Sequence, residues 1–122
     1  MIVITTEVRD GVTVIRLDGA FRSEEAPALL AQRIEQLDRG GPLLVDLTGA
    51  APIPGPAVSE FLARLEAGPR RSATVLVHEE LEARRALRAI YRSLPVVPDV
   101  DQAVSGHFPA ALAPRRAAAH AG

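Results

Sequence analysis

The order of strand-like and helix-like segments along this chain predicts an α/β fold with a mixed β-sheet. Two β-rich runs, 2–8 and 12–17, flank Asp10-Gly11, a dipeptide typical of a hairpin turn. Apolar strand-like runs then alternate with segments of helical spacing. The strand–helix–strand units should cross over right-handed, which makes their strands parallel. We therefore expect an N-terminal antiparallel hairpin, then parallel strands with interleaved helices, forming a single domain within the 122-residue chain.

The first helix is predicted to follow the hairpin. Ser23 is a suitable N-cap, and the two glutamates after it favour the positive end of a helix. The helix should run to about Asp38 and end at Gly40-Gly41. Its buried stripe is predicted to consist of Leu29, Leu30, Ile34 and Leu37.

The stretch from 43 to 65 reads as a buried strand, a loop and a helix. The strand is the apolar run 43–47, and the loop is rich in glycine and proline. Pro56 suits the first turn of a helix, where no backbone N–H is needed. The helix should bury residues recurring at intervals of three, four and seven, namely Val58, Phe61, Leu62 and Leu65.

The last part of the chain predicts one more strand–helix unit and a short edge strand. Residues 73–77 form the strand, and the next helix starts at Glu79, with an apolar side of Leu81, Leu87, Ile90 and Tyr91. Prolines flank the edge strand 94–98. Residues 99–108 should add a helical turn or two capped by Asp99 or Asp101. The domain is thus expected to span 1–108, and the Ala/Pro/Arg-rich segment 109–122 to be a flexible tail.

Composition and motifs argue against several classes of function. The net charge of −1 argues against nucleic acid held by bulk electrostatics, and all fourteen basic residues are arginines. Cysteine is absent and the three histidines lie far apart, so we expect no metal site. No catalytic grouping, Walker loop or dinucleotide motif is present, so we expect no catalytic residue and no cofactor. No signal peptide or membrane span is visible, and the expected location is the cytoplasm.

The central stretch also carries a family resemblance. Asp46-Leu47-Thr48-Gly49, followed by Ile53, a small-residue turn and an apolar helix, resembles the STAS domain of bacterial anti-sigma factor antagonists. The order of elements over roughly residues 2–106 is also similar to that fold. The family's Asp-Ser pair falls on Pro54-Gly55, so its phosphorylatable Ser is replaced by Gly55. In the first loop Arg22 stands where the family has an acid.

The resemblance implies a non-enzymatic protein-interaction module without a phospho-Ser switch. In the family, the turn and the helix after the Ser dock onto an anti-sigma factor with a kinase-like ATPase fold, and phosphate disrupts that docking. The partner expected here is such an anti-sigma factor or another regulatory protein. The residues predicted to bind it are Arg22, Thr48, Pro54, Gly55, Pro56, Val58 and Ser59.

Several alternatives remain at this point. Thr48 and Ser59 are weak candidates for phosphorylation, since local bonds to the backbone explain both more simply. Asp46 either anchors a partner or caps N–H groups of its own turn. A row of arginines forms either an acidic-partner docking face or a solvated helix face paired with Glu80 or Glu82: Arg84, Arg85, Arg88 and Arg92.

Two other functions are open. The chain could be an accessory subunit of a lipid or anion transport system, with a nucleotide or headgroup held at the helix N-terminus between the Pro/Gly turn and the first loop. It could also do structural work only, for example in a homodimer. His78, at the end of a predicted strand, could titrate or contact a partner. A half-exposed strand-end histidine without such a role is the commoner case.

Overall fold

A five-stranded sheet in the order β1-β2-β3-β4-β5 organises the chain. The computed structural model describes residues 2–21, 28–30, 32–33, 41–51, 53, 55–68 and 73–107. The strands are β1 Ile2–Arg9, β2 Val12–Ala20, β3 Leu43–Ala51, β4 Thr74–Val77 and β5 Val96–Val97. Three helices are described over their full length: α1 Pro56–Ala67, α2 Leu81–Ile90 and α3 Val100–His107.

The pairing of the strands confirms the predicted mixed sheet. β1 and β2 are antiparallel, and Asp10 and Gly11 join them with the positive φ angles of a tight hairpin turn, +50° and +83°. The remaining pairs, β2–β3, β3–β4 and β4–β5, are all parallel. The predicted edge strand is present but short, since β5 has only two residues.

The sheet buries apolar side chains on both faces, because successive strand residues point to opposite sides. On one face α1 and α2 cover a major core that includes Ile15, Leu17, Val45, Leu47, Phe61 and Leu87. On the other face α3 covers a minor core of Val12, Val14, Leu44, Val75, Val77, Val97, Ala103 and Val104. β3 therefore contributes to both cores and is the centre of the fold.

The predicted first helix is described only in part. Residues 28–30 and 32–33 are helical, and Leu30 is buried in the major core. Leu29 is 43% exposed, so its predicted burial is wrong. The predicted cap Ser23 and the stripe residues Ile34 and Leu37 lie outside the described residues, as does the predicted tail 109–122.

The apolar side predicted for the second strand–helix unit needs a correction. Leu81 and Ile90 are 48% and 50% exposed, whereas Ala83 and Leu87 are buried. Ala83 and Leu87 are four residues apart and share one helix face, while Leu81 lies about 200° around the helix from Ala83. The small side chain of Ala83 therefore faces inward where a large one was expected.

α3 begins at a predicted cap. The backbone N–H of Gln102 donates to Asp99 Oδ1 at 2.7 Å, which confirms Asp99 as the cap residue. On the same helix Asp101 pairs with Arg9 of β1. The hydrogen bond to Asp101, with its charge, raises the pKa of Arg9 above the ordinary value. This exposed pair links α3 to β1, the first strand of the sheet.

Candidate functional site

β3 continues past the residue where its apolar run ends. The strand was predicted to span 43–47, but it extends to Ala51 and pairs with β2 across a register shift between Arg16 and Asp18. On its other side, Asp46 is opposite Val77, the last residue of β4. Residues 47–51 of β3 therefore extend beyond the end of β4, while β2 still pairs with them on the other side.

Asp46 is held by its own turn. Its side chain is only 8% exposed, and Oδ1 accepts a hydrogen bond from the backbone N–H of Thr48 at 3.0 Å. This contact supports the interpretation of Asp46 as a local cap rather than a partner anchor. The structure thus assigns the Asp of the Asp-Leu-Thr-Gly motif to shaping β3 where the register shifts.

Gly49 is favoured by a close approach of Asp18. A Cβ built on Gly49 would lie 1.9 Å from Asp18 Oδ1 and 2.9 Å from its Cγ. The Asp18 carboxylate also accepts a hydrogen bond from Arg16 Nε at 3.1 Å, which fixes it beside the glycine. The glycine of the motif therefore has a packing reason in this fold.

The turn between β3 and α1 ends at Gly55. Gly55 is the N-cap of α1, Pro56 is the first helical residue, and the backbone N–H of Ser59 donates to Gly55 O at 2.8 Å. The φ of Gly55 is −144° with ψ of 160°, an extended conformation open to any residue. The first turn of α1 has no acidic residue, so its positive dipole end has no carboxylate of its own.

The predicted partner-binding residues have different surroundings. Pro56 is exposed, Thr48 and Ser59 are half-buried, and Gly55 is buried in the turn. Val58 is 1% exposed and packs in the major core, so its predicted role as a surface contact is corrected to a supporting one. Arg22 and Pro54 lie outside the described residues.

The next strand–helix turn is tied down by side chains. His78 follows β4 and is 4% exposed, so the expectation of half exposure is wrong. Its Nδ1 accepts a hydrogen bond from the backbone N–H of Glu80 at 3.1 Å. Arg84 reaches back from α2, and its Nη1 donates to the carbonyls of His78 and Glu79 at 3.0 and 2.7 Å. The first bond gives the buried ring a partner at Nδ1, and the two bonds from Arg84 hold the main chain of the turn.

The row of arginines is therefore not a single solvated face. Arg84 binds the strand-end carbonyls, and Arg88 Nη2 donates to Val96 O at 2.7 Å. Arg85 pairs with Glu82 at 3.5 Å on the exposed side, as the solvated-face interpretation expected. Two of the four arginines thus brace main-chain carbonyls, a role that charge spacing alone did not indicate.

A cleft of about 310 Å³ separates the two turns. One wall is the end of β3 with Ile53, and the other is the β4–α2 turn with the first turns of α2. The described lining residues are Thr48, Gly49, Ala50, Ala51, Ile53, His78, Glu80 and Ala83. Such crevices at the carboxyl ends of parallel strands are where α/β sheets usually bind ligands.

Sequence reasoning found only one side of this cleft. Thr48 was among the predicted residues, whereas Ala50, Ala51, His78 and Ala83 were not. The run Thr48-Gly49-Ala50-Ala51 looked like loop because it lacks large apolar or β-branched residues after Thr48. The signal that could have found the site is positional, because both turns follow neighbouring parallel strands.

α1 is joined to the end of α2 beside this site. The hydroxyl of Tyr91 donates to Ser59 O at 3.1 Å, and the backbone N–H of Ser93 donates to Glu66 Oε2 at 3.2 Å. The start of α1 is therefore fixed to the second strand–helix unit although its own cap has no side chain.

A polar groove of about 400 Å³ lies on the sheet face that α3 covers, beside the β1–β2 hairpin. Charged and hydroxyl side chains of β1, β2 and β3 line it, with Val100 of α3 at its border. They are Thr5, Glu7, Arg9, Arg16, Asp18 and Asp46. Carboxylates and guanidinium groups alternate, and two ion pairs, Arg16–Asp18 and Arg9–Asp101, already use several of them.

The described part of the chain contains no cluster of three His, Cys, Asp or Glu side chains able to hold a metal ion. Within the same residues, no helix has the length and apolarity needed to cross a membrane. The described lining of the 310 Å³ cleft has no arginine, so it offers no cationic side chain to a nucleotide or anionic headgroup.

Comparison with known proteins identifies the fold. The chain has the STAS fold: it is similar to the crystal structure of an anti-sigma factor antagonist from Mycobacterium paratuberculosis, with a TM-score of 0.70 and 24% sequence identity. The match covers 86% of this chain and 92% of that one. No family model matches the sequence, and no curated protein matches it. The resemblance inferred from the Asp-Leu-Thr-Gly motif and the element order is thus confirmed for the fold.

Proposed function

We propose that this chain is a non-enzymatic protein-interaction module that binds a regulatory protein, an anti-sigma factor with a kinase-like ATPase fold. The likeness to an anti-sigma factor antagonist over 86% of the chain supports this function. The β3–α1 turn is the proposed docking surface, with Thr48, Pro56 and Ser59 among its accessible residues. Arg22 and Pro54 belong to the proposed surface by their position in the sequence.

The observation that carries the proposal is the identity and conformation of Gly55. It occupies the N-cap of α1, the position where the resemblance expects a phosphorylatable Ser. Its extended φ and ψ do not require glycine. The backbone could therefore accept the Ser, and the hydroxyl is missing for a reason other than backbone conformation.

Without that hydroxyl the module binds constitutively. A phosphate at this position would add charge and bulk to the docking turn and break the contact. Glycine has no group to phosphorylate, so an ATPase partner cannot release the module in this way. Thr48 and Ser59 are the nearest hydroxyls, and we propose that neither serves as the switch.

The first test is affinity capture of the full chain from its own cell lysate, read by mass spectrometry. Three forms are compared: the native chain, Gly55→Glu, and Gly55→Gln as a matched control of similar size without charge. We expect the native chain to retain an ATPase-fold anti-sigma protein and Gly55→Glu to lose about tenfold or more of it. A smaller loss for Gly55→Gln would separate charge from bulk.

Two results would contradict the proposal. Equal capture of the anti-sigma protein by the native chain and Gly55→Glu would remove the turn from the docking surface. Capture of transporter subunits in its place would favour an accessory role in a transport system. The melting temperature of each form is measured alongside, because Gly55 is buried and a longer side chain must displace its neighbours. A loss of capture is attributed to the partner contact only for a form that melts within about 2 °C of the native chain.

A further inference from the structure

Within the described residues, the last part of β3 has no neighbouring strand along the edge that faces the cleft. β4 ends at Val77, opposite Asp46, and no described strand lies beside residues 47–51 on that side. After Val77 the β4–α2 turn carries the chain away from β3, and the 310 Å³ cleft occupies the position that a neighbouring strand would take. Open strand edges present unpaired N–H and C=O groups to an incoming chain.

The backbone of Ala50 points into this gap. Ala51 O accepts a hydrogen bond from Phe21 N at 2.7 Å, so Ala51 faces the β2 side. Successive residues of a strand direct their N–H and C=O groups to opposite sides. The N–H and C=O of Ala50 are therefore directed away from β2, towards the side where β4 has ended.

The opposite wall of the cleft supplies a buried donor. His78 Nδ1 accepts from Glu80 N–H, so the neutral ring carries its proton on Nε2. Within the described residues, no acceptor for Nε2 is found, and the side chain is 4% exposed. A buried donor of this kind is satisfied either by water or by an acceptor that a ligand brings.

We propose that this cleft binds an extended peptide segment of the partner protein. The segment pairs with Ala50 as a short added strand, and one of its carbonyl or amide oxygens accepts from His78 Nε2. Glu80 at the rim, with no arginine in the described lining, selects an uncharged or basic segment over an acidic one. The inference rests on the proposed function for the identity of the partner, but the site itself does not depend on it.

The test uses the full chain and a phage-displayed library of random linear peptides. Peptides selected on the native chain are measured against Ala83→Leu, which places a larger side chain in the cleft on a helix that favours leucine. Ala89→Leu, on the exposed side of the same helix, is the matched control. We expect Ala83→Leu to weaken binding about tenfold or more and Ala89→Leu to leave it unchanged.

A second measurement needs no variant. In the native chain, labelled with ¹⁵N, a selected peptide should shift the amide signal of Ala50 and leave that of Thr6, on the outer edge strand β1, in place. Shifts at β1 without shifts at Ala50, or equal binding by both leucine variants, would overturn the inference. So would a library that yields no binding peptide.

The two proposals fail separately. If peptides bind the cleft but no anti-sigma ATPase is captured, the peptide site stands and the proposed function fails. If the ATPase is captured equally by the native chain and Ala83→Leu, the function stands and the cleft is not part of that interface.

Discussion

The two strand–helix turns at the carboxyl end of the sheet are built in opposite ways. The β4–α2 turn is braced by His78 and by Arg84, whose bonds hold three main-chain groups. The β3–α1 turn leads to a glycine N-cap without a side-chain bond of its own, and the bond that reaches the first turn of its helix comes from Tyr91 to Ser59 O. The helices that follow differ in how much they bury, since α1 has five buried residues and α2 only two. Packing therefore contributes most to holding α1, whereas side-chain bonds to the main chain hold the β4–α2 turn, and α1 begins at the exposed Pro56 beside the buried Gly55.

The largest expected effect tests the packing of α1. Phe61→Ala should lower the free energy of unfolding by about 3–5 kcal/mol, because the side chain is 2% exposed in the major core. Ile90→Ala on α2 is the control and should cost less than about 1 kcal/mol, since Ile90 is half exposed. Urea titration followed by circular dichroism measures both. Similar costs would show that the two helices are held in the same way.

The second prediction tests the bracing of the β4–α2 turn. Arg84→Met keeps the apolar stem but removes the bonds to the carbonyls of His78 and Glu79, and should destabilise the protein by about 1–2 kcal/mol. The neighbouring change Arg85→Met removes only an exposed pair with Glu82 and should cost about 0–0.5 kcal/mol. Equal effects in chemical denaturation would contradict a bracing role for Arg84.

The smallest effect concerns the end of β3, where its register with β2 shifts. Gly49→Ala should cost about 1 kcal/mol, because the new Cβ forces the Asp18 carboxylate away. In an Asp18→Ala background the same change should cost less than about 0.5 kcal/mol, since the clashing group is gone. A double-mutant cycle measures this coupling. An unchanged cost would point instead to Leu17 O, which lies 3.3 Å from the built Cβ.

The fold was largely predictable because its signals are local. The Asp10-Gly11 turn, the apolar run 43–47 and the spacing from Val58 to Leu65 each specify one element. The end of β3 was not predictable, because Thr48-Gly49-Ala50-Ala51 has little strand propensity and becomes a strand through pairing with β2.

The candidate site was predictable only where a motif marks it. Gly55, which the STAS resemblance singles out, is the N-cap of α1, and its role in binding stays a prediction. The ring of His78 accepts from Glu80 N–H, and its main-chain carbonyl accepts from Arg84, six residues further on. Charge spacing on α2 favoured solvent exposure for that arginine, so the second wall of the cleft stayed hidden in the sequence.

The central claim is that the proposed docking turn has no phosphate switch. The most direct measurement is to incubate the native chain with the captured anti-sigma ATPase and Mg-ATP, then record the complex by size-exclusion chromatography and the intact mass of the chain. We expect the complex to persist and the mass to stay unchanged, while Gly55→Ser, carrying the restored hydroxyl, gains a phosphate and dissociates. A phosphate on the native chain, at Thr48 or Ser59, together with release of the partner, would contradict the account.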